Sequence, residues 1–143
     1  MSFTKRELMK ILAIDFGKKR MGFAVASVIL KVATPIEHLE RKDMSSDLLY
    51  INNLINDHDI GKILIGLPLN MDGSKGAIVK EVENFYRFLK KRITLKIELV
   101  DERLTSFEAE EILKENIKDF KKRKGKIDSM SAMVILNQYF LNK

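Results

Sequence analysis

The chain has no cysteine and no tryptophan, and only two histidines and two prolines. Without cysteine, disulfides and thiolate metal sites are excluded. His38 and His58 are the only imidazoles, which disfavours zinc. A metal here would have to be held by oxygen, which favours Mg²⁺, Mn²⁺ or Ca²⁺. No apolar run approaches the roughly 20 residues of a membrane span. The first ten residues mix charged and apolar side chains and lack the apolar core of a secretory leader. A cytoplasmic protein without membrane partners is therefore expected. Repeats and shifts of composition are also missing, so one domain over 1–143 is the simplest reading.

What is present is ordinary for a folded protein, with 45% hydrophobic and 32% charged residues. The 26 lysines and arginines outnumber the 20 acids, giving a net charge of +6. That balance is compatible with an anionic partner such as nucleic acid. Local clustering says more than the total.

The most informative stretch runs from Lys10 to Ser27. The apolar run Ile11-Leu-Ala-Ile14 carries one acid, Asp15, at its end. Gly17 and the cations Lys18, Lys19 and Arg20 follow, and then a second apolar run. Two short runs joined by a glycine-containing turn predict a β-hairpin. A carboxylate closing a central strand costs several kcal/mol unless it is paired, hydrogen-bonded or bound to a cation. Arg20 offers a pairing across the hairpin, while the three cations together equally suit an anionic ligand.

Leu30–Ile36 is predicted as a third strand, with Pro35 at an edge or strand end. Glu40-Arg-Lys-Asp43 reads as a polar break. Ser45 or Ser46 is the expected cap of a helix whose apolar face is Leu48, Ile51, Leu54 and Ile55, ending around His58–Gly61. Lys62–Gly66 is an unbroken apolar strand of the parallel type. After the turn-rich loop Leu67–Gly76, a helix presents Ile78, Val82, Phe85 and Leu89. Leu95–Val100 alternates as a strand and runs into Asp101-Glu102-Arg103. Thr105 and Glu108 fit a capping box opening another helix. Lys118–Lys126 is basic, and an apolar helix is expected from about Asp128 to Leu141. This order predicts an α/β fold with a mixed five-stranded sheet: an antiparallel meander, then parallel strands joined by right-handed crossovers.

In such a sheet Asp15 and Glu102 end two strands that can lie close together, and ligands gather beyond carboxyl ends of strands. Asp128, at the start of the last helix, could join them. Three carboxylates on one rim call for divalent metal, and a pair of ions about 3.5–4 Å apart can drive phosphodiester hydrolysis. Each acid also has a plainer role. Asp15 can pair with Arg20, Asp101 and Glu102 can be solvated turn acids beside Arg103, and Asp128 can be an N-cap.

Ala13-Ile-Asp15-Phe-Gly17, Arg20-Met-Gly22-Phe-Ala-Val25-Ala-Ser27, Gly66-Leu-Pro68-Leu-Asn70-Met-Asp-Gly73-Ser, Asp101-Glu102-Arg103-Leu-Thr105-Ser and Ile127-Asp128-Ser-Met-Ser-Ala132 together resemble the YqgF/RuvX family. They do so in order and over nearly the whole chain. The resemblance implies a ribonuclease H-like fold and a nuclease acting on precursor 16S rRNA or, alternatively, on four-way DNA junctions. It also implies an acidic triad of Asp15, Glu102 and Asp128 holding Mg²⁺ or Mn²⁺, with Asp101 as a helper. Val28 and Ser131 depart from the family pattern, which has aspartate and alanine there, and neither touches the triad.

On this reading Lys18, Lys19, Arg20, Arg103, Lys121, Lys122, Arg123 and Lys124 contact phosphates, and Asn70 contacts substrate or shapes its turn. The expected partners are precursor rRNA or branched DNA, with the ribosome as a further partner, and the chain is expected as a monomer or weak homodimer. Two rivals come from other classes. A nucleotide-binding reading fails on its motif: Gly17-x-x-x-x-Gly22 has P-loop spacing, but Phe23-Ala24 stands where Lys-Ser/Thr is needed. Its Asp15-Phe-Gly17 turn also resembles that of actin-like ATPases, which need a second domain. A non-catalytic RNA-binding factor, with structural acids, is the other.

Overall fold

The computed structural model describes residues 4–5, 8–69, 72–101 and 129–142. The strands are β1 (Lys10–Asp15), β2 (Arg20–Ser27), β3 (Thr34–Glu40), β4 (Ile60–Leu67) and β5 (Lys96–Asp101). Three helices belong to the described residues: α1 (Met44–His58), α2 (Ala77–Lys90) and α3 (Met130–Leu141). The sheet has the order β3-β2-β1-β4-β5. β1 and β2 are antiparallel, as are β2 and β3, whereas β4 runs parallel to both β1 and β5. This is the predicted mixed five-stranded sheet, with β1 at its centre.

Strand alternation gives β1 two buried faces. Leu12, Ile14 and Phe16 join a core with Ile51 and Leu54 of α1 and Val82, Phe85 and Leu89 of α2. Ile11 and Ala13 join Ala24, Ala26, Leu64 and Val100 in a second core under Ala132, Met133, Ile135 and Leu136 of α3. The alanines let α3 lie close to the sheet. Lys62 ties that layer together, with its Nζ 2.7 Å from the Tyr139 hydroxyl and 2.8 Å from Glu98. Burial pulls the pKa of this ammonium down, but its hydrogen bonds to Glu98 and Tyr139 and their charges outweigh burial and hold it above the usual lysine range.

The third strand begins later than expected, at Thr34 rather than Leu30. The chain turns after β2: Ser27 accepts from Lys31 N through its carbonyl and from Leu30 N through its hydroxyl, and Lys31 adopts a left-handed φ of 56°. Leu30 and Val32 therefore sit exposed in a loop despite their strand-like character. Pro35 lies on an edge strand as predicted, since β3 ends the sheet. The cap of α1 also differs. Asp43, not Ser45 or Ser46, is the N-cap, and its carboxylate accepts from Ser46 N at 2.8 Å. On α2 Val79 is fully buried together with the expected Val82, Phe85 and Leu89, while Ile78 packs at the margin. The predicted helix after Thr105 lies outside the described residues. No helix among the described residues is long and apolar enough to cross a membrane.

Candidate active site at the carboxyl end of the sheet

Asp15 closes the central strand, half-buried, directly opposite Gly22 of β2. The β1–β4 register ends at Ile14↔Ile65, so the next position on β4 is Gly66. The carboxylate thus has glycine across both ladders, and neither neighbour contributes a side chain that would crowd it. By alternation it lies on the Ile11–Ala13 face, the side covered by α3.

The turn after Asp15 is held by groups the sequence reading passed over. Arg41, taken there as part of a polar break, donates to the carbonyls of Gly17 at 3.0 Å and Lys18 at 3.2 Å. Its backbone N–H donates to the Lys19 carbonyl. The guanidinium lies 4.5 Å from the centre of the Phe16 ring and forms a two-bond contact with Asp47, whose side chain is fully buried. A buried carboxylate without its cation would be costly, so this pair holds α1 and the turn in one arrangement. Gly17 is required by close approach, because a Cβ there would sit 2.3 Å from the Arg20 carbonyl oxygen. These contacts hold the turn with Lys18, Lys19 and Arg20 in solvent. Lys18 lies 3.6 Å from Glu81 and Arg20 3.7 Å from Glu40, both exposed pairs of little energetic weight.

A second missed residue is Ser129, fully buried ahead of α3. The β2–β3 register slips between Met21 and Phe23, which opens a gap in the ladder. The Ser129 hydroxyl fills it, accepting from Phe23 N at 3.0 Å and donating to the Ile36 carbonyl. This clamp pins the start of α3 one residue from Gly22, the cross-strand partner of Asp15. A register slip is a tertiary feature, and a lone serine in Asp128-Ser-Met-Ser gives no sequence signal for it.

Of the residues singled out from sequence, Asp15, Lys18, Lys19 and Arg20 are brought together at this edge. Asp101 ends β5, two strands away from Asp15, and β5 alternation places it on the opposite face from Glu98 and Val100. Glu102, Asp128, Asn70, Arg103, Lys121, Lys122, Arg123 and Lys124 lie outside the described residues. Among the described residues no group of three potential metal ligands occurs.

The mixed five-stranded sheet in the order β3-β2-β1-β4-β5, flanked by helices, is a ribonuclease H-like fold. Among solved structures, Thermus thermophilus RuvC with a Holliday junction substrate aligns over 92% of both chains with a TM-score of 0.58, at 8% identity. The fowlpox virus resolvase with junction DNA aligns over 94% of this chain and 97% of its own, also at 0.58, with 10% identity. At such identities the likeness concerns the fold.

The sequence model described as "RuvX: Holliday junction resolvase" matches residues 9–142, and the chain belongs to this family of nucleases. A relative from Halothermothrix orenii is 37% identical over 92% of this chain and 94% of its own. One from Maridesulfovibrio salexigens is 40% identical over 92% and 97%. Both carry the name "Putative pre-16S rRNA nuclease".

Proposed function

We propose that this protein is a divalent-metal-dependent nuclease that trims the precursor of 16S rRNA in the cytoplasm, meeting it as part of the assembling ribosome. The observation that carries the reading is Asp15: a half-buried carboxylate on a central strand end, flanked by glycines, beside a turn of three exposed cations. The family relationship supports a nuclease, and the names of its relatives support the rRNA substrate.

Asp15, Glu102 and Asp128 would form the metal-binding triad. The alternation of β5 supports Glu102, because Glu98 and Val100 share the face of Asp15 and position 102 has their parity. Ser129, clamped beside Gly22, is the chain neighbour of Asp128. The all-oxygen donor set suits Mg²⁺ or Mn²⁺. When bound, the cation supplies charge stabilisation at phosphorus and a more acidic attacking water. Asp15 orients the reacting end of the site. Lys18, Lys19 and Arg20 receive backbone phosphates, which positions the strand without reading its sequence. Arg103, the cations at 121–124 and Asn70 would extend that contact.

The test compares wild type with Asp15→Asn on labelled precursor rRNA ends and on a four-way DNA junction, with Mg²⁺, Mn²⁺ or chelator. The expected result is metal-dependent RNA cleavage that falls at least about 10²-fold in the variant, with an unchanged melting temperature. Equal activity in the variant would refute the site. Because the family carries the resolvase description, symmetric cutting of the junction without RNA cleavage would replace rRNA maturation by junction resolution, a reaction expected of a two-fold dimer.

A further inference from the structure

The opposite end of the sheet carries a second basic surface. A groove of about 730 Å³ runs beside β5, where that strand begins and α2 ends. Its cations are Lys90, Lys91, Arg92 and Lys96, all exposed. Among the described residues Glu98 is the sole carboxylate lining it, and Glu98 is already engaged by Lys62. Among the described residues Lys90, Lys91 and Lys96 take part in no ion pair. Two of these cations rest on aromatic rings, of which Tyr86 lines the groove and Phe88 does not. Lys90 lies 5.1 Å from the centre of the Tyr86 ring, and Arg92 lies 3.9 Å from that of Phe88 while donating to the Phe88 carbonyl at 3.0 Å. Cations at the end of α2 complement the helix dipole, but Lys96 comes from β5 and joins them along the same concave strip. Phosphate tracking with an aromatic platform is how sequence-tolerant single-strand grooves are built.

We infer that this groove is a second nucleic-acid site, taking the phosphate backbone of a single-stranded segment that flanks the one at the catalytic edge. The inference rests on the nuclease reading for the identity of the polymer. β5 spans six residues, so the groove and the carboxyl edge lie about 17 Å apart along the strand. A single chain of nucleotides can bridge that distance along the β5 side of the molecule. The groove then adds affinity and direction without taking part in the chemistry.

The experiment measures binding of a labelled single-stranded RNA of about 16 nucleotides in chelator, as a function of salt. The proteins are wild type, Lys90→Gln/Lys91→Gln and the control Lys5→Gln/Lys31→Gln. Two lost phosphate contacts predict a slope of log affinity against log salt that is shallower by about 1.4 in the first pair, and no comparable change in the control. An unchanged slope in Lys90→Gln/Lys91→Gln, or an equal change in both pairs, overturns the groove. Binding in chelator does not depend on cleavage. If wild type cuts no RNA when metal is restored, the rRNA reading of the substrate fails separately while the slopes still decide the groove.

Discussion

Ser129 illustrates how one hydroxyl can position a site. It sits where the β2–β3 ladder slips, and it replaces the missing strand-to-strand bond with one accepted and one donated hydrogen bond. Replacing it with alanine would leave Phe23 N and the Ile36 carbonyl without this partner in a buried place. Each such group costs about 1–3 kcal/mol. Ser129→Ala is therefore expected to lose stability on that scale in urea unfolding, and to lose cleavage as well because the start of α3 is released. A variant as stable as wild type would show that the ladder closes without the hydroxyl. Arg41 has the same character. Its charge reads as surface in the sequence, yet it joins the buried Asp47 to the backbone of the turn that follows Asp15.

At the scale of elements, most of the sheet follows from alternation and apolar runs. β1, β2, β4 and β5 fall within two residues of their sequence-read positions, because each buries a regular apolar set on one or both faces. The errors fall where local chemistry competes with pattern. Leu30 and Val32 look like strand, but the turn built on Ser27 and Lys31 claims them first. The start of α1 depends on a carboxylate rather than a hydroxyl. The Ser46 N–H, followed by the Ser46 side chain, holds the Asp43 pKa below its ordinary value. A carboxylate with a depressed folded-state pKa contributes stability above its unfolded value of 3.8, and that contribution is lost as pH falls through the folded value. Asp43→Asn keeps a good cap but cannot titrate. The acid limb of a thermal-melting profile should thus be flatter in Asp43→Asn below about pH 4, with little difference at neutral pH. An identical acid limb would remove Asp43 from the account.

Among the described residues, two clusters of cations stand at opposite ends of one sheet. Lys18, Lys19 and Arg20 stand at the carboxyl end, while Lys90, Lys91, Arg92 and Lys96 stand where β5 begins. A net charge of +6 concentrates an anionic polymer near the protein, and the contacts then register as counterion release. Replacing Lys18, Lys19 and Arg20 with glutamine is expected to lower the salt slope for single-stranded RNA by about 2 and to slow cleavage. Retained cleavage with an unchanged slope would move the substrate off this turn.

The sequence by itself determined the α/β class, the meander-then-parallel order, the family and the choice of Asp15. All of these rest on local periodicity, on a charge placed at the end of an apolar run, and on motifs spaced along the chain. The tertiary structure decided which neighbours surround that carboxylate. Gly22 and Gly66 flank it across two ladders, Arg41 and Asp47 hold its turn, and Ser129 pins α3 beside it. The Arg41–Gly17 and Ser129–Phe23 bonds join residues 24 and 106 positions apart. Their energies come from burial and hydrogen-bond satisfaction in three dimensions, which no local pattern of residues encodes.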